Sequence, residues 1–72
     1  MSSECQGHGK NAWPELVGRD GHETARIIES ENPDVQATVL PVGSMVTLDF
    51  RCDRVRVWVD SYNNVNAIPR IG

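Results

Sequence analysis

No strong charge of either sign, no long apolar run and little aromatic bulk mark this 72-residue chain. Seven basic against ten acidic residues leave a net charge of −3, so the basic footprint that nucleic-acid binding needs is missing. No apolar run reaches the length of a transmembrane helix or of a signal-peptide core, and no membrane partner is expected. There is no Asn-x-Ser/Thr acceptor, no internal repeat and no low-complexity tract. Two histidines in surface contexts, without a glycine-rich phosphate loop, form no nucleophile–base constellation, so neither an enzyme nor a cofactor is expected. Two Trp, one Phe and one Tyr offer few large core pieces. One domain, residues 1–72, lies near the lower size limit for a self-sufficient core, and a covalent staple would help it.

What the chain does have is concentrated in PVGSMVTLDFRCDRVRVWVD, which begins at Pro41. Two strand-like runs, Gln36–Leu40 and Val55–Val59, are rich in β-branched or aromatic residues. Along the second, Val55, Val57 and Val59 take one face while Arg54, Arg56 and Trp58 take the other. Between the runs, residues 41–52 form a connection of about a dozen residues, where compact domains usually spend about 4–6. Val46-Thr47-Leu48-Asp49-Phe50 is too rich in apolar and β-branched side chains for a disordered linker, so the loop is expected to be extended and used. With the valines claiming the core, Arg54 and Arg56 point elsewhere. If the loop folds back over them, both guanidiniums can hold its backbone carbonyls and the Asp49 carboxylate, a task suited to the planar fork of Arg. The competing reading is a solvated strand face beside an ordinary surface loop.

Elsewhere the signals are local. Residues 1–12 are polar, contain glycine and are expected to form a flexible tail. Trp13-Pro14-Glu15-Leu16-Val17-Gly18 reads as a helical turn with Pro14 at its start and Gly18 at its end, and Trp13, Leu16 and Val17 are assigned to the core. Asp20 and Glu23 have capping-box spacing and open a helix from Gly21 to Glu31, halted by Asn32-Pro33. Thr24, Ala25, Ile27 and Ile28 form its apolar stripe, with Glu23, Arg26, Glu29 and Glu31 on the solvated face. Asp60–Asn64 has turn chemistry, and Val65–Pro69 is expected to return as an edge strand.

The segments Trp13–Gly18, Asn32-Pro33, Val39–Gly43, Val46–Val57 and Pro69–Gly72 span nearly the whole chain. In order and spacing they resemble the potato inhibitor I family of serine protease inhibitors, and in particular its disulfide-bearing squash and gourd branch. No one segment is diagnostic, but their joint occurrence is highly specific. The resemblance implies an α+β fold: one α-helix packed on a small mixed β-sheet, with a long exposed reactive-site loop, residues 41–52, between two parallel strands. It implies that the Leu48–Asp49 bond is presented to a serine protease, with Ser44, Met45, Val46, Thr47 and Phe50 as flanking contacts. Arg51, Arg54, Arg56, Arg70 and Gly72 are implied to support the loop, with Phe50 packed beneath it. A Cys5–Cys52 disulfide is implied too; closing about 48 residues, it would contribute roughly 4 kcal/mol.

Leu48 suits an apolar pocket, so chymotrypsin-like, subtilisin-like or elastase-type proteases are the implied partners, acting on a monomer. Squash and gourd members carry a basic residue there, and their trypsin specificity does not transfer. The cysteines favour an extracellular or vacuolar site, although no signal peptide stands in this chain. Two other classes compete: a non-inhibitory interaction module using the same loop, and a metal module built from Cys5, His8, His22 and Cys52. In the latter only Cys5 and His8 have ligand-like spacing.

Overall fold

Valine alternating with arginine and tryptophan makes Arg54–Val59 a strand with one face for the core, and this strand, β2, is the centre of the sheet. Val55, Val57 and Val59 are buried, whereas Arg54, Arg56 and Trp58 are half-buried on the opposite face. The structure, a computed structural model, describes residues 11–72. Cys5, His8 and the rest of the expected tail up to Lys10 lie outside the described residues. Asn11 and Ala12, read as the end of that tail, are paired instead: Ile71 N donates to Asn11 O at 3.1 Å, and Ala12 bridges to Arg70.

Strand β1 (Gln36–Pro41) lies parallel to β2, in register from Gln36 opposite Arg54 to Pro41 opposite Val59. It runs one residue beyond the expected end, because Pro41 needs no N–H of its own on that edge. Strand β3 (Arg70–Ile71) pairs antiparallel on the other side of β2. Parallel neighbours require a crossover of about a dozen or more residues, usually helical. Here the crossover contains no helix, and the chain returns along the length of the sheet as open loop. The length of the 41–52 connection is thus demanded by topology, whatever use is made of it.

Helix α1 spans Gly21–Glu31, as its end signals predict. Asp20 caps it, with Oδ2 accepting from Glu23 N at 3.0 Å, and Asn32 ends it before Pro33. Gly21, Thr24 and Ile28 are buried against the sheet. A Cβ on Gly21 would stand 2.5 Å from Val59 Cγ1 and 3.2 Å from Val39 Cγ1, so the first turn approaches β2 this closely only as glycine. Ile28 joins Trp13, Leu16, Val35 and Val65 over the valine face to complete the core, with Ile27, Ala37 and Val39 packed at its margin. One helix on a small mixed sheet is the α+β arrangement the family likeness implied.

Two expectations need correction. Val17 is exposed, because the turn before it is a short 3-10 piece, Pro14–Leu16, that points only Leu16 inward. The expected edge strand at Val65–Pro69 is reduced to a single bridge from Val65 to Val59. The Val65 N–H and C=O are taken by Arg19 O and Gly18 N at 2.8 Å each, and Pro69 has no N–H, so pairing with β2 resumes only at Arg70. Glu29 and Glu31 are exposed but not idle. Glu31 Oε1 accepts from Trp13 Nε1, and Glu29 Oε2 accepts from Ala37 N, each at 2.9 Å.

Candidate functional site

The loop begins with a β-turn. Pro41 O accepts both the backbone N–H of Ser44 (3.1 Å) and its hydroxyl (2.7 Å), and Gly43 has φ +93°. A positive φ at the third position of a Pro-x-Gly-Ser turn defines type II, which glycine adopts at no steric cost. Ser44, expected as a flanking contact, is half-buried and fixes the loop's entrance. The signal for this was legible in the turn chemistry of Pro41–Ser44, but its partner was not.

Beyond the turn the chain makes no strand pairing, and from Thr47 to Asp49 its side chains alternate between the sheet and solvent. Thr47 and Asp49 face the sheet, and Leu48 between them is 100% exposed. Met45 is 98% exposed and Val46 half-buried. The sheet-facing side is held by the two β2 arginines. Arg56 Nη2 donates to Thr47 O and to Thr47 Oγ1, both at 3.1 Å. Arg54 Nη2 donates to Asp49 O at 2.7 Å, while its Nε donates to Gly72 O at 2.7 Å. Arg54 therefore ties the loop to the C-terminus, whose Gly72 N in turn donates to Arg54 O at 2.9 Å. The Asp49 carboxylate lies 3.5 Å from Arg54 Nη1 and 4.0 Å from Arg56 Nη2. The carbonyls on either side of the Leu48 residue are thus fixed from behind, and its side chain is left to solvent.

Charge follows this geometry. The carboxyl of Asp49 is held below the usual carboxylate value chiefly by its hydrogen bond with Thr47; partial desolvation opposes this, and its own backbone N–H and the Arg54 charge add to the lowering. A carboxylate depressed in the folded state contributes order that is complete above its unfolded value and is lost as pH falls through the folded one. The loop amides of Thr47 to Phe50 are expected to keep their chemical shifts from neutral pH down to the ordinary carboxylate range, then to move together as pH falls further. In Asp49→Asn that step should vanish from an amide-resolved NMR titration, while any step from Asp53 remains. An unchanged titration would remove Asp49 from the network.

The remaining expected site residues behave differently. Arg51 does not support the loop carbonyls; it forms a two-pronged pair with Asp53, Nε to Oδ1 at 3.0 Å and Nη2 to Oδ2 at 2.8 Å. This pair raises the Arg51 pKa and lowers that of Asp53, each chiefly through the hydrogen bonds between them. Both side chains are more than half exposed, so the pair adds little to stability. Arg70 is exposed, and among the described residues its side chain meets no partner; its backbone in β3 makes the contribution instead. Phe50 is not packed beneath the loop: it is 57% exposed, with its ring against Gly72, where a Cβ would lie 3.5 Å away. The implied Cys5–Cys52 bridge lies outside the described residues, because Cys5 does. His22 is on the exposed face of α1, and among the described residues no three His, Cys, Asp or Glu side chains converge.

Comparison with known proteins follows the same lines. The model of the Potato inhibitor I family matches residues 5–72. A protein of Momordica charantia named Glu S. griseus protease inhibitor is 54% identical over 70 residues, covering 97% of this chain and 100% of its own. The trypsin/subtilisin inhibitor of Amaranthus caudatus is 53% identical over 68 residues, 94% of this chain and 96% of that one. The crystal structure of bitter gourd trypsin inhibitor superposes with a TM-score of 0.89 at 50% identity, covering 94% of this chain and all of that one.

Proposed function

This chain belongs to the potato inhibitor I family, whose members are inhibitors and not enzymes, and from that premise we propose that it inhibits serine proteases by presenting the Leu48–Asp49 bond as a substrate-like strand. Its proposed targets are chymotrypsin-like and subtilisin-like proteases. Relatives named for trypsin and for subtilisin support the serine protease class, and the apolar side chain at position 48 favours an apolar primary pocket over one with an acidic base.

The observation that carries the reading is the fixed pair of carbonyls, Thr47 O on Arg56 and Asp49 O on Arg54, around a fully exposed Leu48. A loop already held in the bound shape loses little conformational freedom on docking, which turns an interface of ordinary size into a tight one. The same hold opposes hydrolysis. When the protease serine attacks the Leu48 carbonyl carbon, the leaving amine belongs to Asp49, and Asp49 is tied to Arg54. The amine stays beside the acyl carbon, and resealing the bond competes with attack by water. The Cys5–Cys52 bridge is proposed to restrain the same exit, since Cys52 follows Asp49 by three residues.

The test is titration of the protein against chymotrypsin, subtilisin and trypsin, with the mass of the inhibitor measured afterwards. Stoichiometric inhibition of the first two, with any nick between Leu48 and Asp49, is expected. Rapid cutting of the loop without inhibition would defeat the restraint argument. Neither inhibition nor cutting would leave an interaction module with another partner.

A further inference from the structure

β1 forms one margin of the sheet, so half of its backbone groups have no strand to pair with. Gln36 N donates to Asp53 O at 2.8 Å and Val42 N to Val59 O at 2.9 Å, which fixes the even-numbered residues as those facing β2. The odd-numbered ones, Ala37, Val39 and Pro41, face outward. The outer side has room for a chain: an open groove of about 620 Å³ runs along it, between Ala37 and Val39 on the strand and Ala25, Arg26 and Glu29 on α1.

The outward groups are not equally available. Pro41 has no N–H, and its carbonyl is already taken twice by Ser44 in the type II turn. The Ala37 N–H is taken by Glu29 Oε2 at 2.9 Å. Among the described residues nothing meets the Val39 N–H, the Val39 carbonyl or the Ala37 carbonyl. The turn closes the Pro41 end permanently through backbone, whereas the Ala37 end is closed by one exposed side chain.

This pattern is self-complementary. A second copy laid antiparallel about a two-fold axis through Thr38 puts Ala37 of each chain opposite Val39 of the other. Each such pair exchanges two hydrogen bonds, four in all, and none involves Pro41. Two of the four require the Ala37 N–H that Glu29 occupies. We propose that the outer margin of β1 is a self-association edge whose partner is a second copy of this chain, and that Glu29 keeps it shut. Natural sheets commonly protect such margins with charged side chains; here the charge also satisfies the donor it hides. This inference does not depend on protease inhibition.

Sedimentation over a wide concentration range tests it, with the exchange rate of the Val39 amide read by NMR. Glu29→Ala lies on an exposed helix position and should fold normally, as thermal unfolding will verify. Losing a charge-assisted bond in each copy should tighten dimerisation by about tenfold per subunit, about 100-fold in all, with the Val39 amide becoming protected. Glu29→Gln keeps an acceptor for Ala37 N–H and should remain as monomeric as the parent. Adding Val39→Pro to Glu29→Ala removes an outward donor and should restore the monomer. A folded Glu29→Ala that associates no more tightly than the parent would overturn the proposal. So would a dimer that survives Val39→Pro, which would place the contact elsewhere.

Discussion

Exchanging Leu48 for Lys is expected to redirect the inhibitor to trypsin, strengthening that complex by about 100- to 1,000-fold while weakening those with chymotrypsin and subtilisin by a comparable factor. The size of the effect follows from two facts. The Leu48 side chain is wholly exposed and touches no part of the fold, so its exchange leaves the scaffold unaltered. In the complex it would be the most deeply enclosed side chain, where an unmatched charge is costly and a matched one is favourable. Inhibition constants for the three proteases, with thermal unfolding to show an unchanged fold, provide the check. No shift in preference would mean that another bond is presented.

The second large effect belongs to the arginines behind the loop. Arg56→Ala frees the carbonyl and hydroxyl of Thr47; Arg54→Ala frees the carbonyls of Asp49 and Gly72. Each replacement is expected to speed cleavage of the inhibitor and weaken its complex by about tenfold to 100-fold, the range for losing a charge-assisted hydrogen bond. Lysine should rescue neither. At position 54 a single ammonium cannot reproduce a fork whose Nε serves Gly72 and whose Nη2 serves Asp49. Because both guanidiniums approach one Asp49 carboxylate, the double variant should lose less than the product of the two single losses. The Arg54 side chain also secures the C-terminus, so stability of that variant must be measured beside its cleavage rate, whereas among the described residues the Arg56 side chain bonds only to the loop. Cleavage and affinity unchanged in Arg56→Ala would refute the restraint.

Much of this arrangement was legible because it is governed by neighbours in sequence. Asp20, Glu23 and Asn32-Pro33 mark the ends of α1 by local capping chemistry, and the structure places the helix between those signals. The valine–arginine alternation in β2 assigned two cations to the side away from the core before any partner for them was known. What escaped was set by distant groups. Nothing near Val65 in sequence reveals that Arg19 and Gly18 claim its backbone, and so the third strand was expected too early. Glu29 and Glu31 have the spacing of an ordinary solvated face, and the partners they meet in Ala37 and Trp13 are distant in sequence. Arg51 resembles its neighbours at positions 54 and 56, yet Asp53, two residues away, captures it first. Loop length carried less meaning than expected, because a parallel pair joined without a helix needs that much chain in any case.

That parallel pairing has a kinetic side as well. β1 and β2 match residues 18 positions apart (54 − 36), so the sheet forms only by closing a sizeable loop in the unfolded chain. The entropy of closure depends on how long the loop is and hardly at all on which residues it carries. Met45 and Leu48 lie wholly outside the packed interior, and their exchange should leave both the refolding and the unfolding rates where they were. Such a chain can acquire a new target through a few exposed side chains while its folding pathway stays the same.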